Sequence, residues 1–551
     1  VFDEDRFRVL RGHRFFRDGV ITFPSCAVPY RDKSYRTVFG GFSTNSVVYA
    51  KTNTGSAKAA WRLLAVRFVN GNPGDPYAVR SVTHKALFQA QSVFIINHRA
   101  AFESVASLMR PFFEGYTNMD EELRAHHADP HPKVKARINA YNQLIQDGTW
   151  CSPLWLEEVL YKPKGQEQAK PRKKIRGIGD MGVAASLQGF RLMHFFKVAL
   201  SSVKIPHLGG IIWFCKSPTP DLMIDAFDNL INLKHRFFLV LFSDDAVISY
   251  RDHGGSVITA NLDISSCDAS HGPGMFQAFL SLFPSRCAGD AARLVQQCCL
   301  PFRVTDVNDR RRKVVLQSNT PLLFSGSSIT TGINCVAVIS IGFAIAESVG
   351  APLGPTELLT AAAARAGYVI TIDLCRDYSH IQFLKHSPAY DTHGELRAVP
   401  NLGIYLRSAW QCNGDLPGHG PLQPRAEAFQ LAYLNGMYPR IRSPFIDAQK
   451  AIVAHATSSK KLDSAIQRML TYKVESGAVN FELTTRELFR RYTTPDGVNE
   501  PMSLASCDYF CESTAHMAYG LHYADVATEV ILRKDYGLGI RTGYPPHYPR
   551  N

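Results

Sequence analysis

One stretch constrains this chain more than any other: FFLVLFSDDAVISY, from Phe237 to Tyr250. Two apolar runs, Phe237–Phe242 and Ala246–Tyr250, flank Ser243, Asp244 and Asp245. Short apolar runs bounded by turn residues read as buried strands, so the segment is expected to form a β-hairpin with two carboxylates at its tip. Adjacent carboxylates repel, and an apolar hairpin gives no reason to hold them together. A divalent cation supplies one. The plainer alternative is a solvated acidic turn, because Asp is common in turns.

The next segment of the chain narrows the choice. After a short turn at Asp252–Gly255, a β-branched strand over 256–263 ends at Asp263, inside NLDISSCD. This order lets the strand pair antiparallel beside the hairpin, with Asp244 and Asp263 at one end of the same sheet and their carboxylates within roughly 6 Å. Two carboxylates meeting there can hold two divalent cations. Asp268 comes five positions after Asp263, an odd spacing that would put the two on opposite faces of a continuous strand. Asp268 is therefore expected to do a different job, after the chain turns toward a helix beginning near 272. The alternative is an ordinary turn or helix-start residue.

A third segment, SGSSITTGIN from Ser325 to Asn334, leads into the apolar run CVAVISIGFAIA. Ser325 and Gly326 read as a flexible turn, and the run after Thr330 as a long helix. Thr330 and Asn334 are spaced i, i+4 and share one helix face. A polar pair on an otherwise apolar helix needs a polar partner, for which a ribose hydroxyl is one candidate and a core-satisfied Asn with a capping sequence another.

Together these segments resemble viral RNA-dependent RNA polymerases. Ser325, Gly326, Thr330 and Asn334 match each fixed position of their motif B, S-G-x-x-x-T-x-x-x-N. Asp263 and Asp268 are similar to motif A, and Asp244 and Asp245 to the motif C hairpin, where most members have Gly and some Ser before the pair. Lys170, Arg172, Lys173, Lys174 and Arg176 resemble the basic motif F, and Phe383, Leu384 and Lys385 motif E. Thr52–Gly55 is similar to motif G, and Arg365 and Arg376 are candidates for the basic residue of motif D. Here the order is C-A-B. That is similar to the permuted polymerases of permutotetraviruses and birnaviruses, and the second Asp fits the permutotetravirus pattern better.

The resemblance implies an α+β right-hand polymerase with an antiparallel palm sheet in permuted connectivity. Fingers are expected over 1–236, a palm over 237–400 with a fingers insertion at about 272–320, and a helical thumb with tail over 401–551. It implies template-directed RNA synthesis with two Mg²⁺ or Mn²⁺ ions held by Asp244 and Asp263, assisted by Asp245. Asp268, Ser325, Gly326, Thr330 and Asn334 would read the nucleotide. Arg172, Lys174 and Arg176 alternate, so a strand would align them toward a triphosphate. Arg310, Arg311, Arg312, Lys313 and Lys385 would contact RNA. The implied partners are RNA template and nascent strand, nucleoside triphosphates and other viral proteins; the implied location is the host cytoplasm, with packaging in the virion.

Composition sets the outer limits. Sixty-one Lys and Arg against 48 Asp and Glu give a net charge of +13, which favours a polyanionic partner. The hydrophobic share of 45% is enough for a sizeable core. No apolar run reaches 18 residues, so no transmembrane segment is expected, and the first residues lack a signal-peptide layout. Twelve scattered Cys suit a reducing compartment. Cys507, Cys511, His516 and His522 match no zinc-module spacing. Two competing readings remain at this level: a reverse transcriptase-like polymerase, and a non-enzymatic viral RNA-binding protein.

Overall fold

The computed structural model describes residues 82–128, 158–163, 177–216, 219–305, 313–391 and 393–400, with 7–12, four two-residue strands before 44 and the single positions 142, 146 and 311. The expected thumb (401–551), the basic run at 164–176, Arg310, Arg312, the 52–55 segment and the Cys507–His522 group lie outside the described residues.

In chain order, the elements used below are β1 (Phe7–Arg11), α1 (Val82–Asn97), α2 (Arg99–Met109), α3 (Met119–Ala128), β2 (Val159–Pro163), β3 (Gly177–Asp180), α4 (Gly182–Ser202), β4 (Lys204–His207), β5 (Gly210–Phe214), α5 (Pro220–Ile231), β6 (Phe237–Phe242), β7 (Asp245–Arg251) and β8 (Val257–Ile264). They continue with α6 (Pro273–Ser281), α7 (Ser285–Gln297), β9 (Phe302–Thr305), β10 (Lys313–Ser318), α8 (Thr330–Ser348), α9 (Pro355–Arg365), β11 (Ile370–Leu374), β12 (His386–Tyr390) and β13 (Leu396–Pro400).

A six-stranded sheet of order β11-β8-β7-β6-β5-β4 carries the hairpin at its centre. Every adjacent pair is antiparallel except β5 and β6, which are parallel. A parallel pair needs a crossover, and α5 supplies it. Thr219 caps α5 by accepting from the Leu222 N–H at 3.3 Å, with Pro220 in the first turn. The sheet thus begins at Lys204, upstream of the boundary expected at 236/237. The sequence texture changes at that boundary, and the crossover helix before it hides the continuity of the sheet.

The hairpin strands are buried on both faces, which explains why FFLVLF shows no alternation. On one face Leu239, Leu241, Ala246, Ile248, Ala260 and Leu262 meet α8 in the main core. On the other, Phe238, Val240 and Val247 pack against Met223, Phe227 and Leu230 of α5. Helix α8 has apolar residues all round, the pattern of a fully buried helix; Gly332 to Ala346 are all buried. It is the one helix among the described residues long and apolar enough to cross a membrane. Its surroundings are the sheet and helices α4, α6 and α9. It passes closely over β5 and β6 at Gly342, where a Cβ would lie 2.7 Å from Leu239 and 3.0 Å from Ile212.

A second sheet, of order β1-β10-β9-β2-β3, joins residues 302–318 to strands from the N-terminal part of the chain. Phe302 is the hub of its aromatic packing, touching Phe7, Tyr161 and Phe324. The sheet reaches the Ser325–Gly326 turn through a backbone bond from the Gly179 N–H to the Ser325 carbonyl at 2.9 Å. Between β11 and β12 the chain forms a 3₁₀ turn at Tyr378–His380 and a tight turn at Phe383–His386.

Candidate active site

The hairpin tip is a two-residue turn: Phe242 pairs with Asp245, leaving Ser243 and Asp244 between the strands. Ser243 has φ 56°, in the left-handed region that favours Gly. Asp245 opens β7, and Asp263 is the penultimate residue of β8. The register Ala246↔Leu262, carried one step further, sets Asp245 opposite Asp263. Cβ atoms so placed are about 4.5–5.5 Å apart. The three carboxylates therefore gather at one end of the sheet. Asp244 is half-buried and Asp263 exposed.

Burial pushes the Asp245 carboxyl up to about 6; the Leu384 N–H opposes this rise, and the nearby carboxylates of Asp244 and Asp263 add to it. Asp245 Oδ2 accepts that Leu384 N–H at 2.8 Å. The donor sits in a turn closed by reciprocal bonds between Phe383 and His386, with Leu384 at φ 47° and Lys385 at φ 68°. Phe383 is buried, while Lys385 is exposed beside the carboxylates' supporting strand. The turn at Phe383–His386 thus braces the start of β7.

After Ile264 the chain reverses through Ser266, at φ 49°, into a 3₁₀ turn over Cys267–Ser270 that carries Asp268. This turn brings Asp268 to Asn334, one turn into α8. The Asn334 amide has four hydrogen-bonding slots and all four are filled. Its Nδ2 donates to Ser243 Oγ at 3.2 Å and to Asp268 Oδ1 at 3.0 Å. Its Oδ1 accepts from His271 Nε2 at 2.7 Å and from the Cys267 thiol at 3.3 Å. Asn334 is only 3% exposed. A single side chain thereby ties together the three segments in which the sequence carried candidate chemistry.

Other groups fill in the surroundings. The Ser243 N–H donates to the Cys335 sulfur at 3.2 Å. Burial pushes the Cys335 thiol up to about 12, opposed by that N–H and by the Lys197 ammonium on α4. Burial, reinforced by Asp244, Asp268 and Asp263, holds the Cys267 thiol well above its ordinary range. Burial thus favours the protonated form of both sulfurs. Lys197 is a cation near the hairpin tip that spacing alone did not single out.

The remaining expected residues are placed as follows. The Thr330 hydroxyl donates to the Phe324 carbonyl at 2.9 Å, closing the turn that starts α8. Ser325 is half-buried, and Gly326 is exposed at φ 97°. Lys313 begins β10, and Arg311 is exposed just before it; both belong with the second sheet. Arg365 donates to the Ala344 carbonyl and the Ser348 hydroxyl, roughly 15–20 Å along α8 from Asn334. Arg376 is exposed.

Among the described residues, no three His, Cys, Asp or Glu side chains converge on a point as a closed metal cage. Magnesium does not ask for one: it keeps several waters and takes one or two carboxylates plus substrate phosphates. Crowded like charges with oxygen donors, at a half-open strand end, fit a hard divalent cation of that kind.

No protein-family model and no curated protein matches the chain. Among solved structures it is similar to that of the RNA polymerase VP1 from Infectious Pancreatic Necrosis Virus, with a TM-score of 0.36 and 14% identity over 60% of this chain and 47% of that one. It is also similar to the X-ray structure of the birnavirus VP1–VP3 complex, with a TM-score of 0.37 and 14% identity over the same shares. The matched region thus spans about half the length of each.

Proposed function

We propose that this chain is a viral RNA-dependent RNA polymerase with its palm motifs in the order C-A-B. The observation that carries the reading is the Asn334 junction, which bonds Ser243 and Asp268 at the strand end where Asp244, Asp245 and Asp263 gather. A solvated acidic turn would not need a buried amide to connect it to two other segments.

In this reading Asp244 and Asp263 hold the divalent cations, Mg²⁺ or Mn²⁺. When bound, these would acidify the RNA 3′-hydroxyl and neutralise charge on the departing pyrophosphate. Asp245, anchored on the Leu384 N–H, assists them and fixes the strand that follows Asp244. Asp268 takes the ribose hydroxyl and Asn334 orients Asp268. Ser325 and Gly326 form the adjustable turn beside the nucleotide. Arg172, Lys174 and Arg176 would clamp the triphosphate, and Arg310, Arg311, Arg312, Lys313 and Lys385 would meet the RNA backbone. Other viral proteins, the host cytoplasm and the virion complete the proposal as partners and locations.

Primer extension on an RNA template with Mg²⁺ or Mn²⁺ tests it. Asp244→Ala or Asp263→Ala is expected to lower nucleotide addition by at least ~10³-fold, as when a main electrostatic group is lost, while RNA binding stays near that of the wild-type chain. Near-normal extension by either variant would sink the assignment. Extension with deoxynucleotides alone would mark a reverse transcriptase, and metal-independent RNA binding without extension a binding protein.

A further inference from the structure

His271 is buried, carries both ring nitrogens in hydrogen bonds, and has no part in the chemistry proposed above. Its Nε2 lies 2.7 Å from Asn334 Oδ1 and its Nδ1 2.8 Å from the Tyr368 hydroxyl. The tautomer is set by the partners. Asn334 Nδ2 faces the acceptors Asp268 and Ser243, so Oδ1 must be the atom facing His271, and it can only accept. Nε2 therefore bears the proton, and Nδ1 accepts from Tyr368. Tyr368 is 1% exposed, and burial first, then Cys267, holds its phenol well above the ordinary range, so its proton stays in place.

The loop carrying His271 is itself pinned. Gln91 of α1, fully buried, donates to the carbonyls of Ser270 and Gly367 at 2.6 and 2.9 Å and accepts the Gly272 N–H at 2.8 Å. The same glutamine thus clamps the His271 loop and the residue before Tyr368. The ring packs edge-on against Tyr368 with centroids 5.7 Å apart. A free amide can flip, exchanging Oδ1 and Nδ2 at little cost. With His271 in place a flip would set its N–H against the Asn334 amide hydrogens and Oδ1 against the Asp268 carboxylate.

We infer that His271, backed by Tyr368, is a positioning residue for sugar selection: it locks the Asn334 amide, which in turn orients Asp268 toward the 2′-hydroxyl of the incoming nucleotide. The inference rests on the polymerase reading. The amide's four slots are filled, so a hydroxyl read through Asp268 depends on an orientation that His271 sets.

Three variants test it in the full chain, with ribo- and deoxynucleotide incorporation measured separately on one RNA template. His271→Phe keeps ring volume but removes the donor. Ribonucleotide addition is expected to persist, while discrimination against the deoxynucleotide falls ~10-fold or more, the weight of one buried hydrogen bond. His271→Gln can still place an N–H on Oδ1 and is expected to recover most of the discrimination. Tyr368→Phe frees the tautomer and should fall between them. A merely structural role would lower incorporation of both nucleotides together and leave their ratio unchanged, with no rescue by Gln; that result overturns the inference and spares the polymerase reading. A wild-type chain that extends nothing with either cation overturns both.

Discussion

Asp245 gives a pH dependence whose sign can be worked from its surroundings. Burial raises its carboxyl from 3.8 to about 6, with Asp244 and Asp263 adding to the rise against the Leu384 N–H. A carboxyl raised in this way is disfavoured as an ion in the folded chain. Its contribution to stability is whole below the unfolded value near 3.8, declines as pH rises, and is gone once pH passes about 6. The full difference corresponds to about 3 kcal/mol. That is an upper bound, because the residue as a whole is half-buried and water screens part of the charge.

Asp245→Asn removes the charge, keeps the shape, and leaves an oxygen to accept the Leu384 N–H. The variant is expected to be more stable than the wild-type chain by about 1–3 kcal/mol at pH 7. Its advantage should be roughly half as large at pH 5, small at pH 4, and flat above about pH 7. Urea midpoints of both proteins across pH 4–8, without divalent cations, would show this. Millimolar Mg²⁺ should narrow the gap at pH 7–8, since a bound cation favours the ionised cluster. A variant less stable than wild type at pH 8, or a gap that does not change with pH, would refute the reasoning.

Close contacts set two further outcomes. Gly342→Ala should destabilise the chain by about 1–3 kcal/mol, because the new methyl meets Leu239 and Ile212 in a packed core; an unchanged thermal midpoint would show that α8 can lift off the sheet. Ser243→Ala and Ser243→Gly both remove the bond from Asn334, but only Ala keeps a Cβ at φ 56°. Hydrogen exchange across Phe237–Tyr250 should therefore show Gly better protected than Ala by about 1 kcal/mol, and equal protection would mean that the turn stores no strain.

The hairpin, the strand after it and the long helix were legible because their signals are local. The strand expected over 256–263 is found at Val257–Ile264, and the helix expected from Thr330 begins there. What the sequence hid is what depends on distant partners. β4 and β5 join the sheet through a parallel pairing with β6 that no local pattern announces. The turn at Leu384 and Lys385 takes two left-handed residues without the Asn-Gly signature such turns favour. His271, Tyr368 and Gln91 act as buried polar groups, and a lone His before Gly-Pro gives no spacing to read. Gln91 lies in the largely polar run Gln89–Ser92 of a helix that is mostly exposed or half-buried, so nothing in its surroundings marks it as the buried member.

On the polymerase reading, the saturated amide also decides which residue could read a sugar. To contact Asn334 directly, a ribose hydroxyl must displace one of four partners. His271 and Cys267 are buried and out of its reach. Displacing Ser243 exchanges one neutral hydrogen bond for another, a near-even trade worth at most about 1 kcal/mol either way. A deoxynucleotide would simply leave Ser243 where it is, so this route gives little selectivity. Engaging Asp268 instead keeps all four bonds. A hydrogen bond to a charged carboxylate is worth about 1.5–3 kcal/mol, and a deoxynucleotide would forgo that bond. On the polymerase reading, selectivity would therefore run from His271 through Asn334 to Asp268, with Asp244 and Asp263 left to the chemistry of transfer.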